Sequence, residues 1–354
     1  MTGNKRTLLV ASTEAYTGKT ATIIGIAKQL QQRGIKLAYG KPIGTCFQEN
    51  DRLEDEQDLQ FISQLLSLGG NSLKPPLLLL DEKTIISSLG KENQYRLQLQ
   101  QYCDSLEGDL ILLEGANNLF QGQLFNLSVP EMAHALPAQV LIVVRYNLNT
   151  NVDQILLAKQ LLQDKLIGVL INSVPPEAVE IMEDKLKPFY HSRGIEVLAC
   201  LPKNRLLQSV SVRELVRQLR ARVLCCEHRL DLMVESLTVG AMNVNAALEY
   251  FRRGRNMAVI TGSDRTDLQL AALESSTTCL ILTGHVPPQP LILSRAEDLE
   301  VPILMVDCDT LTTVEIVNRA FGKVRLHEPV KVECMQQLIQ EHFHIETLME
   351  KLNL

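Results

Sequence analysis

Tryptophan is absent from the 354 residues, and aromatic residues make up only 4% of the chain. That argues against an aromatic platform for stacking nucleic-acid bases. Positive charge is not in excess either: 35 Lys and Arg against 41 Asp and Glu leave a formal net charge of −6. Binding to nucleic acid through counterion release is therefore not expected. Long apolar runs are missing. The runs present, such as Pro75 to Leu80 and Val140 to Val144, are strand-sized and far short of a bilayer span. The start of the chain has only the short run Leu8 to Ala11, so no signal peptide and no membrane partner are expected. Eight cysteines are scattered with no framework spacing. In a chain of this size they read as reduced thiols, and the expected location is the cytoplasm. Neither Cys225, Cys226 and His228 nor the pair His342 and His344 completes a zinc spacing. No Ser-His-Asp set, internal repeat or heptad run is visible.

What is present is a core-forming composition, 45% hydrophobic and 21% charged. Short apolar strands alternate with helical stretches, the signature of an α/β protein with a parallel sheet. Strands are predicted at Thr7 to Ala11, Ile35 to Gly40, Leu110 to Leu113, Val140 to Val144, Ile167 to Ile171 and Val197 to Leu201. Their continuous apolar character fits strands covered on both faces. The acidic stretch Gln48 to Asp58 reads as a loop before helical periodicity at Leu59, Ile62, Leu65 and Leu66. Gly115 to Gly122 and Val174 to Glu177 read as strand-end loops, where α/β folds place ligands. After Pro202 the texture changes. Asn204 to Arg222 is rich in Arg and Leu and predicts a helix, and a second strand–helix series follows. Its strands are expected at Leu230 to Val234, Met257 to Thr261, Cys279 to Leu282 and Ile303 to Val306. The expected division is a domain over 1–208, a smaller one over 209–325 and a helical tail over 326–354. The arginines 252, 253 and 255, with 213, 217, 220 and 222, read as solvated helix faces and ion pairs.

The main chemical signal is Ser12-Thr13-Glu14-Ala15-Tyr16-Thr17-Gly18-Lys19-Thr20, between the first strand and a helix. A phosphate loop needs backbone N–H groups around oxyanions, a helix N-terminus behind them, a lysine and a hydroxyl for magnesium. Thr17, Gly18, Lys19 and Thr20 supply the end of that motif, although Thr13 stands where the strict pattern has glycine. Carboxylates from neighbouring strand ends would hold the metal, and Asp58 and Glu114 are the candidates. Lys41 would add a second cation that stabilises charge on an acceptor oxygen. Taken singly, Lys41 also reads as a solvated strand-end residue, and Asp58 as a helix cap.

The loop resembles that of dethiobiotin synthetase, a family that also has threonine at the position of Thr13. Further motifs follow in that family's order: Lys41-Pro42-Ile43-Gly44-Thr45, Asp58, Glu114-Gly115-Ala116, Asn172 before Pro175-Pro176, and Leu201-Pro202. The resemblance implies ATP and Mg²⁺ as cofactors. It assigns Lys41 and Lys19 to the transferring phosphate, Thr20, Asp58 and Glu114 to magnesium, and Asn172 to the adenine edge. It departs at Asn117-Asn118, where the synthetase has two glycines, and an altered acceptor side is expected there. The carboxy-terminal part resembles the DRTGG domain through Gly262-Ser263-Asp264-Arg265-Thr266-Asp267, Leu282-Thr283-Gly284 and Asp307-Cys308-Asp309-Thr310. Asp267 and Leu268 stand where that signature has glycines. Asp264, Arg265, Thr283, Gly284 and Asp309 are the candidates for a small-anion or nucleotide pocket. A structural turn and helix cap is the alternative.

The two domains in this order resemble the amino-terminal half of long phosphotransacetylases, without the acetyltransferase domain. The expected fold is a parallel-sheet P-loop NTPase-like domain followed by a smaller α/β DRTGG-like domain. The expected function is an ATP–Mg-binding regulatory or partner-binding protein without acetyltransferase activity. Its partners would be nucleotide, a protein partner or metabolic enzyme, and a second copy, since the resembled families form dimers. The alternative is an ATP-dependent carboxylase–cyclase of the dethiobiotin type, with Thr13 and Thr45 as carbamate contacts. A purely structural protein with a fossil P-loop is a third reading.

Overall fold

The computed structural model describes residues 6–45, 49–90, 95–240, 244–322, 324, 326 and 328–354. The chain divides into two compact units, Met1–Lys203 with Leu326–Leu354, and Asn204–Arg325.

In the first unit, β1 (Arg6–Ser12) leads into α1 (Lys19–Gln32), then β2 (Leu37–Gly40) and β3 (Ile43–Thr45). Helix α2 (Glu49–Leu66), β4 (Leu73–Lys74), β5 (Leu78–Leu80), α3 (Glu82–Ser88) and α4 (Tyr95–Asp104) follow. Next come β6 (Leu110–Glu114), α5 (Val129–Ala135), β7 (Ala138–Arg145), α6 (Leu148–Leu162) and β8 (Leu166–Val174). The short helices α7 (Val179–Ile181) and α8 (Lys187–His191), joined through a π-turn, precede β9 (Val197–Pro202). Seven strands form one parallel sheet in the order β4-β2-β6-β1-β7-β8-β9. Its central strands are buried over nearly their whole length, as their apolar runs require. β3 and β5 pair separately, also in parallel.

Register brings the ligand-bearing ends together. Val10 is paired with Glu114, Gly40 with Leu113, Ser12 with Val143 and Arg145 with Asn172. The carboxyl ends of β1, β2, β6, β7 and β8 therefore share one edge of the sheet.

The second unit contains α9 (Arg205–Gln208), β10 (Val210–Ser211), α10 (Val212–Leu219), β11 (Arg222–Cys225), β12 (Met233–Val234) and β13 (Ser236–Val239). It continues with α11 (Val244–Arg253), β14 (Met257–Gly262), α12 (Thr266–Leu273), β15 (Thr277–Thr283), α13 (Pro290–Asp298), β16 (Ile303–Val306) and α14 (Thr310–Gly322). Its five-stranded sheet runs β11-β16-β15-β14-β13, parallel except for the edge strand β11. The chain then returns to the first unit through α15 (Pro329–His342) and α16 (Ile345–Leu352).

Helix α15 lies against α1. A Cβ placed on Gly25 would sit 2.5 Å from Ile339 Cγ1, so the two helices approach as closely as glycine permits. Ile23, Ile24, Ile26 and Leu30 on α1, and Met335 and Ile339 on α15, are fully buried or nearly so.

Several expectations are corrected. The stretch read as a loop up to Asp58 belongs to α2, and Gln48 lies outside the described residues. Glu, Gln, Arg and Leu are good helix formers, and polarity alone does not mark a loop. Asp58 accordingly lies well inside α2 and neither opens nor caps it. The helix expected over Asn204 to Arg222 is broken by β10 into α9 and α10, each N-capped by its own side chain, Asn204 and Ser211. Only Met233 and Val234 of the strand expected at Leu230 to Val234 pair, antiparallel to β10. The sheet strands there are β11 and β13 instead. The side chains of Thr45 and Arg253 lie outside the described residues.

Candidate functional site

The loop between β1 and α1 closes on Gly18, whose φ of 100° is a left-handed value that L side chains rarely adopt. The space beside it is filled as well, because a Cβ there would lie 2.6 Å from Asn172 Nδ2. That amide donates to the carbonyl of Thr17 at 2.8 Å. Asn172, from the end of β8, thus braces the loop with its NH₂ group; in this structure that group faces loop backbone. Arg145, at the end of β7, donates to the carbonyl of Tyr16, the other loop residue with positive φ.

Inside the loop, Lys19 is 7% exposed and its ammonium donates to Ser12 Oγ at 2.8 Å. Burial pushes its pKa down to about 8, opposed by the nearby Glu114 carboxylate and helped by the positive charge of Lys41. Both lysines and Glu114 therefore share one electrostatic neighbourhood. Thr20 Oγ1 donates to the Glu114 carboxylate, 3.0 Å from Oε1 and 3.2 Å from Oε2. Glu114 is itself only 5% exposed, and its second donor is the hydroxyl of Tyr39, 2.9 Å from Oε2. Burial and that carboxylate hold the Tyr39 phenol well above its ordinary pKa, with a further contribution from Asp58. Asp58 is thereby placed within electrostatic reach of the same cluster.

The structure thus brings Thr13, Thr17, Gly18, Lys19, Thr20, Lys41, Asp58, Glu114 and Asn172 to one strand-end edge or into the field of groups there. Two loop hydroxyls, Thr13 Oγ1 and Thr17 Oγ1, are buried with no hydrogen-bond partner. A buried hydroxyl without an acceptor is costly unless a ligand supplies one. At Asn117-Asn118 the Asn118 side chain is used locally. Asn118 Oδ1 accepts from the N–H groups of Phe120 and Gln121, and the Asn117 carbonyl lies 3.2 Å from Ser12 Oγ.

Sequence reasoning missed Tyr39, Ser12 and Arg145. A tyrosine near the end of a wholly buried strand was the available signal for the first, because its hydroxyl must find a partner.

In the second unit, the loops after β14, β15 and β16 adjoin one another. Ser263 N–H donates to the Thr283 carbonyl at 2.9 Å, and the hydroxyls of Thr283 and Thr310 are 2.9 Å apart. Gly284 follows with φ 105°. Two of the charged candidates, Asp309 and Arg265, are engaged within the fold. Asp309 accepts from Thr312 N–H and hydroxyl at the start of α14, which holds its carboxyl below the usual range. Arg265 faces Asp267 at 3.4 Å, and that contact lowers the Asp267 pKa. Arg265 thus pairs with Asp267, its neighbour two residues on, and Asp264 is exposed.

Among the described residues, no cluster of three or more His, Cys, Asp or Glu is arranged to hold a metal, and no helix is long and apolar enough to cross a membrane.

These features define a P-loop α/β protein carrying a second α/β unit. Residues 6–211 match the family profile described as AAA domain, more than half of the chain, and the protein belongs to that family. Residues 214–320 match the profile described as DRTGG domain. The chain is similar to the amino-terminal half of phosphate acetyltransferases. The enzyme of that name from Synechocystis is 24% identical over 363 residues, covering 98% of this chain and 51% of the relative. The chain spans about half the length of the curated relatives it matches. Among solved structures, MinD of Aquifex aeolicus aligns with 57% of this chain and 84% of its own, at 18% identity and a TM-score of 0.36. The CBS and DRTGG domains of the Clostridium perfringens pyrophosphatase regulatory region align with 48% of this chain and 85% of their own, at 16% identity and a TM-score of 0.29.

Proposed function

We propose that the first unit binds ATP with magnesium, and that the protein is a nucleotide-responsive regulatory or partner-binding protein. The observation that carries the binding half is the loop itself, with its buried lysine and two orphan hydroxyls aligned before a helix N-terminus. Thr13 and Thr17 would donate to phosphate oxygens, and Lys19 would reach the terminal phosphates. Lys41 would add positive charge on the acceptor side. Asn172 and Arg145 would hold the loop backbone in place from β8 and β7.

The donor set fits magnesium as well. Magnesium takes six oxygens at about 2.0–2.1 Å, so neighbouring ligands stand about 2.9 Å apart, and one or two carboxylates beside phosphates suffice. Thr20 Oγ1 and Glu114 Oε1 already stand 3.0 Å apart. Thr20 and Glu114 would hold the ion, with Asp58 in its field. Bound there, it would neutralise charge between phosphate oxygens.

The regulatory half rests on the covalent joining of this site to a DRTGG unit. Nucleotide can favour one state of the protein only through a difference in affinity between states. The candidate ligand residues of that unit, Asp264, Arg265, Thr283, Gly284 and Asp309, would line its strand-end loops. A small anion there would compete with Asp267 for Arg265.

The test is calorimetric titration of ATP–Mg into wild type and Lys19→Ala, with phosphate release followed on the same samples. Losing a charge-assisted contact of about 1.5–3 kcal/mol weakens affinity by about 10- to 100-fold. Loss of that size in the variant, little phosphate release, and a nucleotide-dependent change in assembly or partner affinity are the expected results. The reading fails if wild type does not bind ATP. Sustained phosphate release would favour an ATP-consuming enzyme.

A further inference from the structure

The nearly buried Glu114 carboxylate needs donors or a cation, and a cation is close by. Lys19 neighbours Thr20, which contacts Glu114, and the charges of Lys19 and Glu114 influence one another. A direct ion pair would satisfy both before any nucleotide binds. The structure shows a different arrangement. The ammonium donates to Ser12, while the carboxylate takes two hydroxyl donors, Thr20 and Tyr39. The Tyr39 ring is 1% exposed, and phenylalanine would fill the same space. The hydroxyl is the part that packing does not explain, and its hydrogen bond runs to Glu114 Oε2.

We propose that Tyr39 is a positioning residue that holds the Glu114 carboxylate away from Lys19, so that before nucleotide binds the cation and the carboxylate stay apart rather than collapse into an ion pair. The inference rests on the nucleotide reading of the site for its purpose, though not for its geometry. A phosphate-binding lysine and a metal-binding carboxylate are useful only while each is available to its own ligand. Without the phenol, Oε2 is left with the 3.2 Å contact from Thr20, and the Lys19 ammonium, whose charge already acts on Glu114, would become its partner. Nucleotide and metal would then have to break that pair before binding. An outer partner that orients a metal ligand typically contributes 10- to 100-fold in metal affinity.

Two measurements test this. The first is a crystal structure of nucleotide-free Tyr39→Phe. The expected result is a Glu114 carboxylate turned to ion-pair with Lys19, and a Glu114 that stays in place overturns the proposal. The second is a double-mutant cycle on ATP affinity, with magnesium and with EDTA, in wild type, Tyr39→Phe, Glu114→Gln and the double variant. Tyr39→Phe should weaken binding about tenfold or more in magnesium, and should add little once Glu114 is neutral. Equal losses in both backgrounds would mean that Tyr39 acts through packing, and would overturn it. If wild type binds no ATP, the nucleotide reading falls and the crystal structure alone decides the role of Tyr39. If Tyr39→Phe does not fold, recovery of the fold in the double variant supports a role through the Glu114 charge. Failure of both variants to fold refutes it.

Discussion

At the scale of single residues, the site is a problem in burying charge. Lys19 is held where water solvates it poorly, and its pKa of about 8 is the consequence. Phosphates attract the ammonium and not the amine. Nucleotide affinity should therefore be level with respect to this group below about pH 8, then fall as pH rises through its folded-state pKa. The limiting slope is about tenfold per pH unit. Titrations in buffers of different ionisation enthalpy would detect the matching uptake of protons on binding above pH 8. A midpoint near the ordinary lysine value would show that Lys19 is not the titrating contact. Because the Lys41 charge depresses the same pKa, Lys41→Gln should move the midpoint upward while weakening binding. Glu114→Gln should act differently, reducing the gain in affinity that magnesium gives over EDTA. Equal affinities with and without magnesium in wild type would remove Glu114 from the metal's ligands.

At the scale of elements, two close approaches constrain the chain. Gly18→Ala would combine a left-handed φ with a Cβ 2.6 Å from the Asn172 amide. The loop has to shift, the Asn172–Thr17 hydrogen bond is strained, and ATP affinity should fall with a stability loss of about 1–3 kcal/mol. Chemical denaturation and titration of the same variant would measure both. The second approach is α1 against α15, where Ile339 fills the space left by Gly25. Ile339→Ala leaves a cavity between these helices and should cost about 2–5 kcal/mol. A denaturation midpoint unchanged by that variant would mean that α15 is only loosely docked.

At the scale of the whole molecule, the first unit is discontinuous in sequence. Residues 326–354 return to it after the second unit has been completed. Ligand binding stabilises what it contacts by mass action, about 2.7 kcal/mol at a hundred times Kd. Hydrogen exchange with saturating ATP–Mg should therefore slow in α15 together with α1, although the two are distant in sequence. Slowing confined to residues 1–203, with α15 unaffected, would show that the tail is not energetically part of the nucleotide unit.

Much of this protein was legible in its sequence, for identifiable reasons. A strand covered on both faces must be apolar throughout, so β1, β6, β7, β8, β14, β15 and β16 announced themselves. A phosphate loop needs glycine, lysine and a hydroxyl in fixed order, so Gly18, Lys19 and Thr20 did likewise. Short edge strands such as β11 and β13 carry no such requirement, and an acidic helix such as the first half of α2 resembles a loop in composition. Tertiary structure alone decided the rest. It set Asn172 on the loop backbone, Tyr39 on Glu114 and Arg265 on Asp267, and it returned α15 to α1. Each is a contact between residues distant in sequence, or a choice among several local partners. The choice is made by how strands align and by which buried polar groups must be satisfied, and a linear sequence specifies neither until it folds.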